Sequence, residues 1–275
     1  MDPRVCKYTS PSGRNKTVSV IPTRSVDAQP FAGRQNMFLE LGDVIAVEHS
    51  GEDFCFARSM NLGINRALMD GYHLVVLSND DVSWYAPGRM HEMIDYLASN
   101  DGVDFVAPYV NSYRQTGDVT TSLWKYFLHQ VTRNKAPFWA WRQKTRIETI
   151  ASQAGIPNPW MFIYHPKGFV GVQPFSVFKA RVLEKVRFDE SFINQMEDTE
   201  MAYRLFLQGY RGETNPRWSI LHDRHYSFDR NTSVKIPFEA NLIRLWKKYP
   251  VVVRYKDHQP PPNHHHEPGM TSSRD

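Results

Sequence analysis

Short apolar runs recur along the chain at 18–21, 44–47, 74–77 and 103–107, each bounded by polar or turn-forming residues. Runs this short and mostly apolar, broken only at Ser19 and Asp104, predict strands buried on both faces. Between them the spacing changes. Phe56, Met60, Ile64 and Leu68 recur every fourth residue, and Met90, Met93, Ile94 and Leu97 stand at i, i+3, i+4 and i+7. Those intervals predict amphipathic helices over 56–69 and 87–100. A third helix, over 197–208, carries Met201, Leu205 and Phe206 and stops before Gly209, a residue suited to a helix terminus. Strands alternating with helices predict an α/β domain built on a mostly parallel central sheet flanked by helices.

Two regions break this rhythm. Residues 111–165 hold few strand-like runs but contain Trp124, Phe127, Phe138, Trp139, Trp141, Trp160 and Phe162, which predicts a helical, aromatic-rich insertion. Its aromatics either pack a core or line one wall of an acceptor site, with Trp139 and Trp160 the first to test. Phe238, Leu242, Leu245, Trp246 and Tyr249 form the stripe of a C-terminal helix, followed at Lys247 and Lys248 by charge. That stripe docks on the core or touches a membrane surface. The polar residues 1–16 and the Pro- and His-rich residues 257–275 read as flexible ends, leaving one catalytic-size domain over 17–256.

Composition narrows the class. A chain of 275 residues with 41% hydrophobic and 13% aromatic content has material for a core, which sets aside disordered and fibrous classes. Its net charge of +4 is not that of a dedicated nucleic-acid binder, so no nucleic-acid partner is expected. No apolar stretch approaches the roughly 20 residues of a membrane span, and the first residues lack the apolar core of a secretory leader. Cys6 and Cys55 form no metal-binding spacing, and a reducing, cytoplasmic location is the simpler expectation.

Three polar constellations carry candidate chemistry. The run at 74–77 ends directly in Ser78, Asn79, Asp80 and Asp81, and in open α/β sheets ligands sit beyond the carboxyl ends of strands. Adjacent carboxylates there either bind Mg²⁺ or Mn²⁺ or cap the next helix. Glu197 and Asp198 open the third helix, where they complement its dipole or, facing a cleft, take a proton from a hydroxyl. Residues 220–222 close a short strand, and His222 at its end and His225 beyond it are structural residues or ligands.

Taken in order, the segments VSVIPT, VIAVEHSG, ARSMNLGINRALMDGYHLVVLSNDDV and GVQPFSVFKARVLEKVRFDESFINQMEDTEMAYRLFLQGYR resemble GT-A-fold glycosyltransferases of the family 2 type. The resemblance spans about Thr17 to Phe228 and implies a Rossmann-like GT-A sheet. It implies nucleotide-sugar binding by Thr23, Glu48, Arg58, Asn61 and Asn79, with Gly63 beside the donor helix. It implies a metal, Mn²⁺ or Mg²⁺, held by Asp80 and His222, with Ser227 following. Asp198 is the implied base and Glu197 its support. The chain departs from the family pattern at Ser78, where an acidic residue is expected, and at Met60, often Arg; Arg58, three residues before Asn61 and on its helical face, is placed to supply the missing charge.

The resulting expectation is a metal-dependent hexosyl- or pentosyltransferase of glycan biosynthesis. It would move a sugar from a nucleotide-sugar donor, a UDP-sugar first, to a hydroxyl of a glycan or glycoconjugate acceptor with inversion. A catalytically inactive sugar-nucleotide or glycan-binding module and a nucleotidyltransferase are the two rival readings. No glycine-rich phosphate loop follows the first strand, only PTRSVDAQP.

Overall fold

The computed structural model describes residues 2–11, 16–112, 153, 170–172, 174–223 and 237–249. Trp139 and Trp160, nearly all of the expected insertion, His225, Ser227 and the tail at 257–275 lie outside the described residues. In chain order the elements are β1 (Arg4–Tyr8), β2 (Thr17–Thr23), α1 (Phe31–Leu41), β3 (Asp43–Glu48), α2 (Phe56–Met69), β4 (Leu74–Ser78), β5 (Val82–Ser83) and α3 (Pro87–Ser99). They continue with β6 (Phe105–Ser112), β7 (Phe175–Lys179), α4 (Ala180–Lys185), α5 (Glu197–Leu207), β8 (Gly212–His222) and α6 (Phe238–Lys248).

Among the described residues the strands join one 8-stranded sheet in the order β1-β3-β2-β4-β7-β6-β8-β5. The expected parallel unit is its first half, where β2 lies parallel to both β3 and β4. The sheet as a whole is mixed, not mostly parallel: β7 enters antiparallel to both β4 and β6, and β1 and β5 pair antiparallel at the edges. The reason lies in FSVFK, a strand of five residues too short to show a period of its own. Arg4–Tyr8 was also expected within a flexible end. It forms an edge strand instead, because its backbone pairs antiparallel with the edge of β3, and Arg4 and Lys7 add ion pairs with Glu48 at 2.5 Å and Asp70 at 2.8 Å.

Strand alternation divides the core between the two faces of the sheet. Val18, Val20, Ile45, Val47, Val75 and Leu77 face α2, α4 and α5, whereas Ile21, Val44, Ala46, Leu74 and Val76 face α1 and α3. The runs are therefore mostly apolar because both faces are covered. On α2, Gly63 lies so close to the sheet that a Cβ there would sit 2.3 Å from Val20 Cγ1 and 3.2 Å from Val47 Cγ2. Gly63→Ala is expected to cost about 1–3 kcal/mol through overpacking, read as a lower denaturation midpoint. A midpoint equal to that of the unsubstituted chain would show that α2 shifts freely.

Among the described residues no helix is long and apolar enough to cross a membrane. On α6, Leu242 and Leu245 are buried, and the helix packs beside α5. There Lys248 lies 2.8 Å from the fully buried Glu200, and the Tyr249 hydroxyl donates to the same carboxylate at 2.6 Å.

Candidate active site

Thr23, Glu48 and the run Ser78 to Asp81 stand at the carboxyl ends of β2, β3 and β4. Thr23 ends β2, and its hydroxyl donates to Asp80 Oδ2 at 2.9 Å, fixing that buried carboxylate beyond the end of β4. Glu48 ends β3 in register with Thr23. Ser78 is fully buried and its hydroxyl donates to the Asn79 carbonyl at 2.9 Å, so the position expected to be acidic is turned into the backbone.

The turn after β4 is drawn against the end of β8, because Val82 pairs with His222 and the Asp223 amide donates to the Asp81 carbonyl at 3.1 Å. His222 Nε2 consequently lies 3.2 Å from Asn79 Nδ2 and 3.1 Å from Asp81 Oδ1. The second contact lacks hydrogen-bond alignment, and Asp81 Oδ1 and Asn79 Oδ1 are both buried with no hydrogen-bond partner. Two desolvated oxygens left unsatisfied beside an imidazole are costly unless something else fills their lone pairs. Asp81 is thus the carboxylate nearest His222, a pairing visible in the sequence only as the second acid of a doublet.

Glu197 and Asp198 begin α5. The approach to them is constrained, since Asn194 (φ 55°) and Met196 (φ 70°) both adopt left-handed backbone. For Met this costs about 1–3 kcal/mol and persists only under outside restraint. Part of that restraint comes from Asn194 itself, whose Oδ1 accepts from the Phe56 amide and whose Nδ2 donates to the Phe54 carbonyl, each at 2.8 Å. Asp198 Oδ1 accepts from the Thr199 amide at 2.6 Å and from the Thr199 hydroxyl at 3.2 Å.

The two acids differ in what surrounds them. Burial pushes Asp198 upward, opposed by the Thr199 hydrogen bonds and by the nearby charge of His222, so Asp198 and His222 share one electrostatic environment. Glu197 has no such support: burial, and then the charge of Asp198, push it up to about 8, and its Oε2 is buried without a hydrogen-bond partner. The surroundings thus set the two acids apart: Glu197, at about 8, keeps its proton at neutral pH, whereas Asp198 is raised by burial but drawn back by its hydrogen bonds to Thr199.

This separation has a consequence for stability. The unfolded chain releases the Glu197 proton around the ordinary value of 4.5, the folded chain only around 8. Between those values the folded state binds more protons, so this group lowers stability as pH rises through the window. Glu197→Gln is expected to flatten that decline and raise the thermal midpoint at pH 8, with little change at pH 4. A midpoint lowered equally at both values would mean that the carboxyl is needed for a contact, not penalised.

Asn61 and Arg58, implied donor contacts, are turned elsewhere. Asn61 Nδ2 donates to the Phe188 carbonyl and to Glu190 Oε1, both at 2.9 Å, and its Oδ1 accepts from the Phe188 amide at 3.0 Å. Arg58 is half-exposed and lies 3.6 Å from Glu190. Glu190, which the sequence did not single out, is the shared partner of both, in a segment with no periodic pattern to mark it. Arg34 from α1 reaches the same end of the sheet and pairs with Asp223 at 2.6 Å.

Among the described residues no group of three or more His, Cys, Asp or Glu side chains is arranged to hold a metal ion. The donor set nonetheless fits a hard cation completed by substrate. Mg²⁺ and Mn²⁺ accept carboxylate and amide oxygen, the softer Mn²⁺ tolerating an imidazole beside them, and such ions commonly take one or two protein carboxylates while phosphates and waters fill the remaining positions.

No family model matches the chain, and no curated protein does. Solved structures with a similar chain path include glucosyl-3-phosphoglycerate synthase from Mycobacterium tuberculosis with Mn²⁺, uridine diphosphate and glucosyl-3-phosphoglycerate. That likeness has a TM-score of 0.46 and 9% identity, over 86% of this chain and 80% of that one. The same enzyme with Mg²⁺ and uridine diphosphate gives a TM-score of 0.45 and 11% identity, over 86% and 79% of the two chains. The protein A197 from STIV gives 0.39 and 13%, over 75% and 85%. The ligands named in these structures belong to those proteins.

Proposed function

We propose that this protein is a metal-dependent glycosyltransferase that moves a sugar from a nucleotide-sugar to an acceptor hydroxyl with inversion. The observation that carries the reading is the meeting of Asn79, Asp81 and His222 at the carboxyl edge of the sheet, with two buried oxygens unsatisfied and Asp198 within electrostatic reach of His222. A divalent cation at this turn would neutralise the charge developing on a leaving diphosphate. Asp81 and His222 would hold it, and Asp80, oriented by Thr23, would add the second carboxylate.

The remaining chemistry belongs to the chain's own side chains. Asp198, anchored through Oδ1 to Thr199, keeps Oδ2 for the acceptor hydroxyl. It removes that proton as the acceptor oxygen forms its bond to the sugar C1 and the bond from C1 to the diphosphate oxygen breaks on the opposite face. The proton ends on Asp198, and the anomeric configuration inverts. Glu197, protonated beside it, keeps the pair from carrying two adjacent negative charges. Glu48 and Thr23 border the position a nucleoside would take beyond β2 and β3.

Uridine diphosphate sugars are the first donors to test, because the quoted motifs resemble enzymes that commonly use them. A thermal-shift comparison of UDP-, GDP- and dTDP-sugars with and without Mn²⁺ tests the reading. It requires stabilisation by at least one nucleotide-sugar that depends on the metal. Stabilisation by none of them, with or without Mn²⁺, would contradict it.

A further inference from the structure

We infer that Asn241, on the C-terminal helix α6, is a positioning residue for Asp198. The inference rests on the glycosyltransferase reading and adds to it a residue in no motif, far from the site in sequence.

Asn241 is fully buried and its amide is fully used. Its Nδ2 donates to the carbonyls of Ile193 and Gln195, both at 2.9 Å. Its Oδ1 accepts from the Ile193 amide at 3.4 Å and from Arg244 at 3.3 Å. Two donors and two acceptor sites are all an Asn side chain possesses, and three of these four contacts go to backbone. The residues so gripped flank Asn194, and Gln195 directly precedes Met196, the two non-glycine residues with left-handed backbone that lead into Glu197 and Asp198. A turn of this kind relaxes unless its surroundings over-determine it. From the α2 side the hold comes from the side chain of Asn194, and from the α6 side from Asn241.

The helix that carries Asn241 is itself tied to the helix it positions. Lys248 bridges Asp189 at 2.6 Å and the buried Glu200 at 2.8 Å, and Arg244 donates to the Ser191 carbonyl. Asp189 is held down at about 2, since the hydrogen bonds from Lys248 and Ser191 outweigh its burial. Thus α6 grips residues 189–195 along its length through Asn241, Arg244 and Lys248, and the first turn of α5 through Lys248 at its C-terminal end, which leaves the direction of Asp198 little freedom. Asn241 touches neither donor nor acceptor in this account and acts through the turn.

The test compares Asn241→Leu, which removes all four contacts at similar volume, with Asn241→Asp, which keeps the shape but sets oxygen against the two carbonyls. Each full-length variant is measured for thermal midpoint, for affinity for the nucleotide with Mn²⁺, for transfer kinetics, and for amide hydrogen exchange at 193–200. The expected result is a kcat lowered about ten- to a hundredfold, the scale of an ångström-sized displacement of a reacting group. Nucleotide affinity and donor KM should stay within about twofold, with exchange accelerated at Thr199 and Glu200. Unchanged kcat in a folded variant would overturn the proposal, as would equal losses of affinity and kcat. If one variant fails to fold, the other decides. Exchange needs no turnover: were the unsubstituted protein inactive with every donor, the functional reading would fall. Acceleration confined to 193–200 would then still assign the hold to Asn241, and unchanged exchange would refute it.

Discussion

Replacing Asp198 with Asn is expected to lower sugar transfer by about 10²- to 10⁴-fold, the range for loss of a general base, while nucleotide binding with Mn²⁺ persists. The substitution is nearly isosteric and keeps an oxygen for the Thr199 amide, which holds Oδ1 at 2.6 Å, so the start of α5 should survive it. What disappears is a charged oxygen able to take a proton. The alternative that Asp198 merely complements the helix dipole predicts a modest loss of stability of about 0.3–1 kcal/mol and no selective loss of turnover. Steady-state transfer, measured alongside nucleotide affinity, separates the two. An equal collapse of affinity and turnover would place Asp198 on the donor side or in the framework and remove it as the base.

Asp81→Ala should abolish the response to Mn²⁺ and lower turnover by at least about 10²-fold, because the several kcal/mol of charge stabilisation that a bound cation supplies would be lost. Asp80→Ala should act in the same direction, since Asp80 adds the neighbouring carboxylate and is fixed by Thr23 at 2.9 Å. The variants also test the turn itself. If Asp81 served only to cap or close it, removing the buried Oδ1 would relieve an unsatisfied oxygen and leave the metal response intact. Titration of Mn²⁺ against turnover, with folding checked in parallel, distinguishes these outcomes, and an unchanged Mn²⁺ profile in both variants would rule out a cation site at this turn.

The parts of the fold that were legible in the sequence are those with a clear period. Helix 56–69 is found as Phe56–Met69, and the runs at 18–21, 44–47 and 74–77 lie within β2, β3 and β4, because strands covered on both faces have no polar alternation to blur them. What stayed hidden was set by long-range pairing. FSVFK becomes a strand only because β4 and β6 stand on either side of it, and RVCKY becomes one only because β3 offers an edge.

The site shows the same division. Asn79, Asp80, Asp81 and His222 were marked by their position after apolar runs, and the structure brings Asn79, Asp81 and His222 together. Asn61 fitted a motif by spacing, yet its amide is engaged by Phe188 and Glu190, partners more than a hundred positions away that spacing does not reveal. Asn241 carried no signal, since a single Asn on an amphipathic stripe resembles any polar residue until the backbone it grips is known.

The central claim is that the chain breaks the bond between a sugar C1 and a nucleoside diphosphate with the help of a cation. The most direct measurement is the identity of the nucleotide product formed from a UDP-sugar and an acceptor pool, with Mn²⁺ and after its removal by chelation. The account predicts free nucleoside diphosphate, released in step with sugar transfer and only when metal is present. Release of pyrophosphate from a nucleoside triphosphate, or tight nucleotide binding without turnover of any donor, would contradict it.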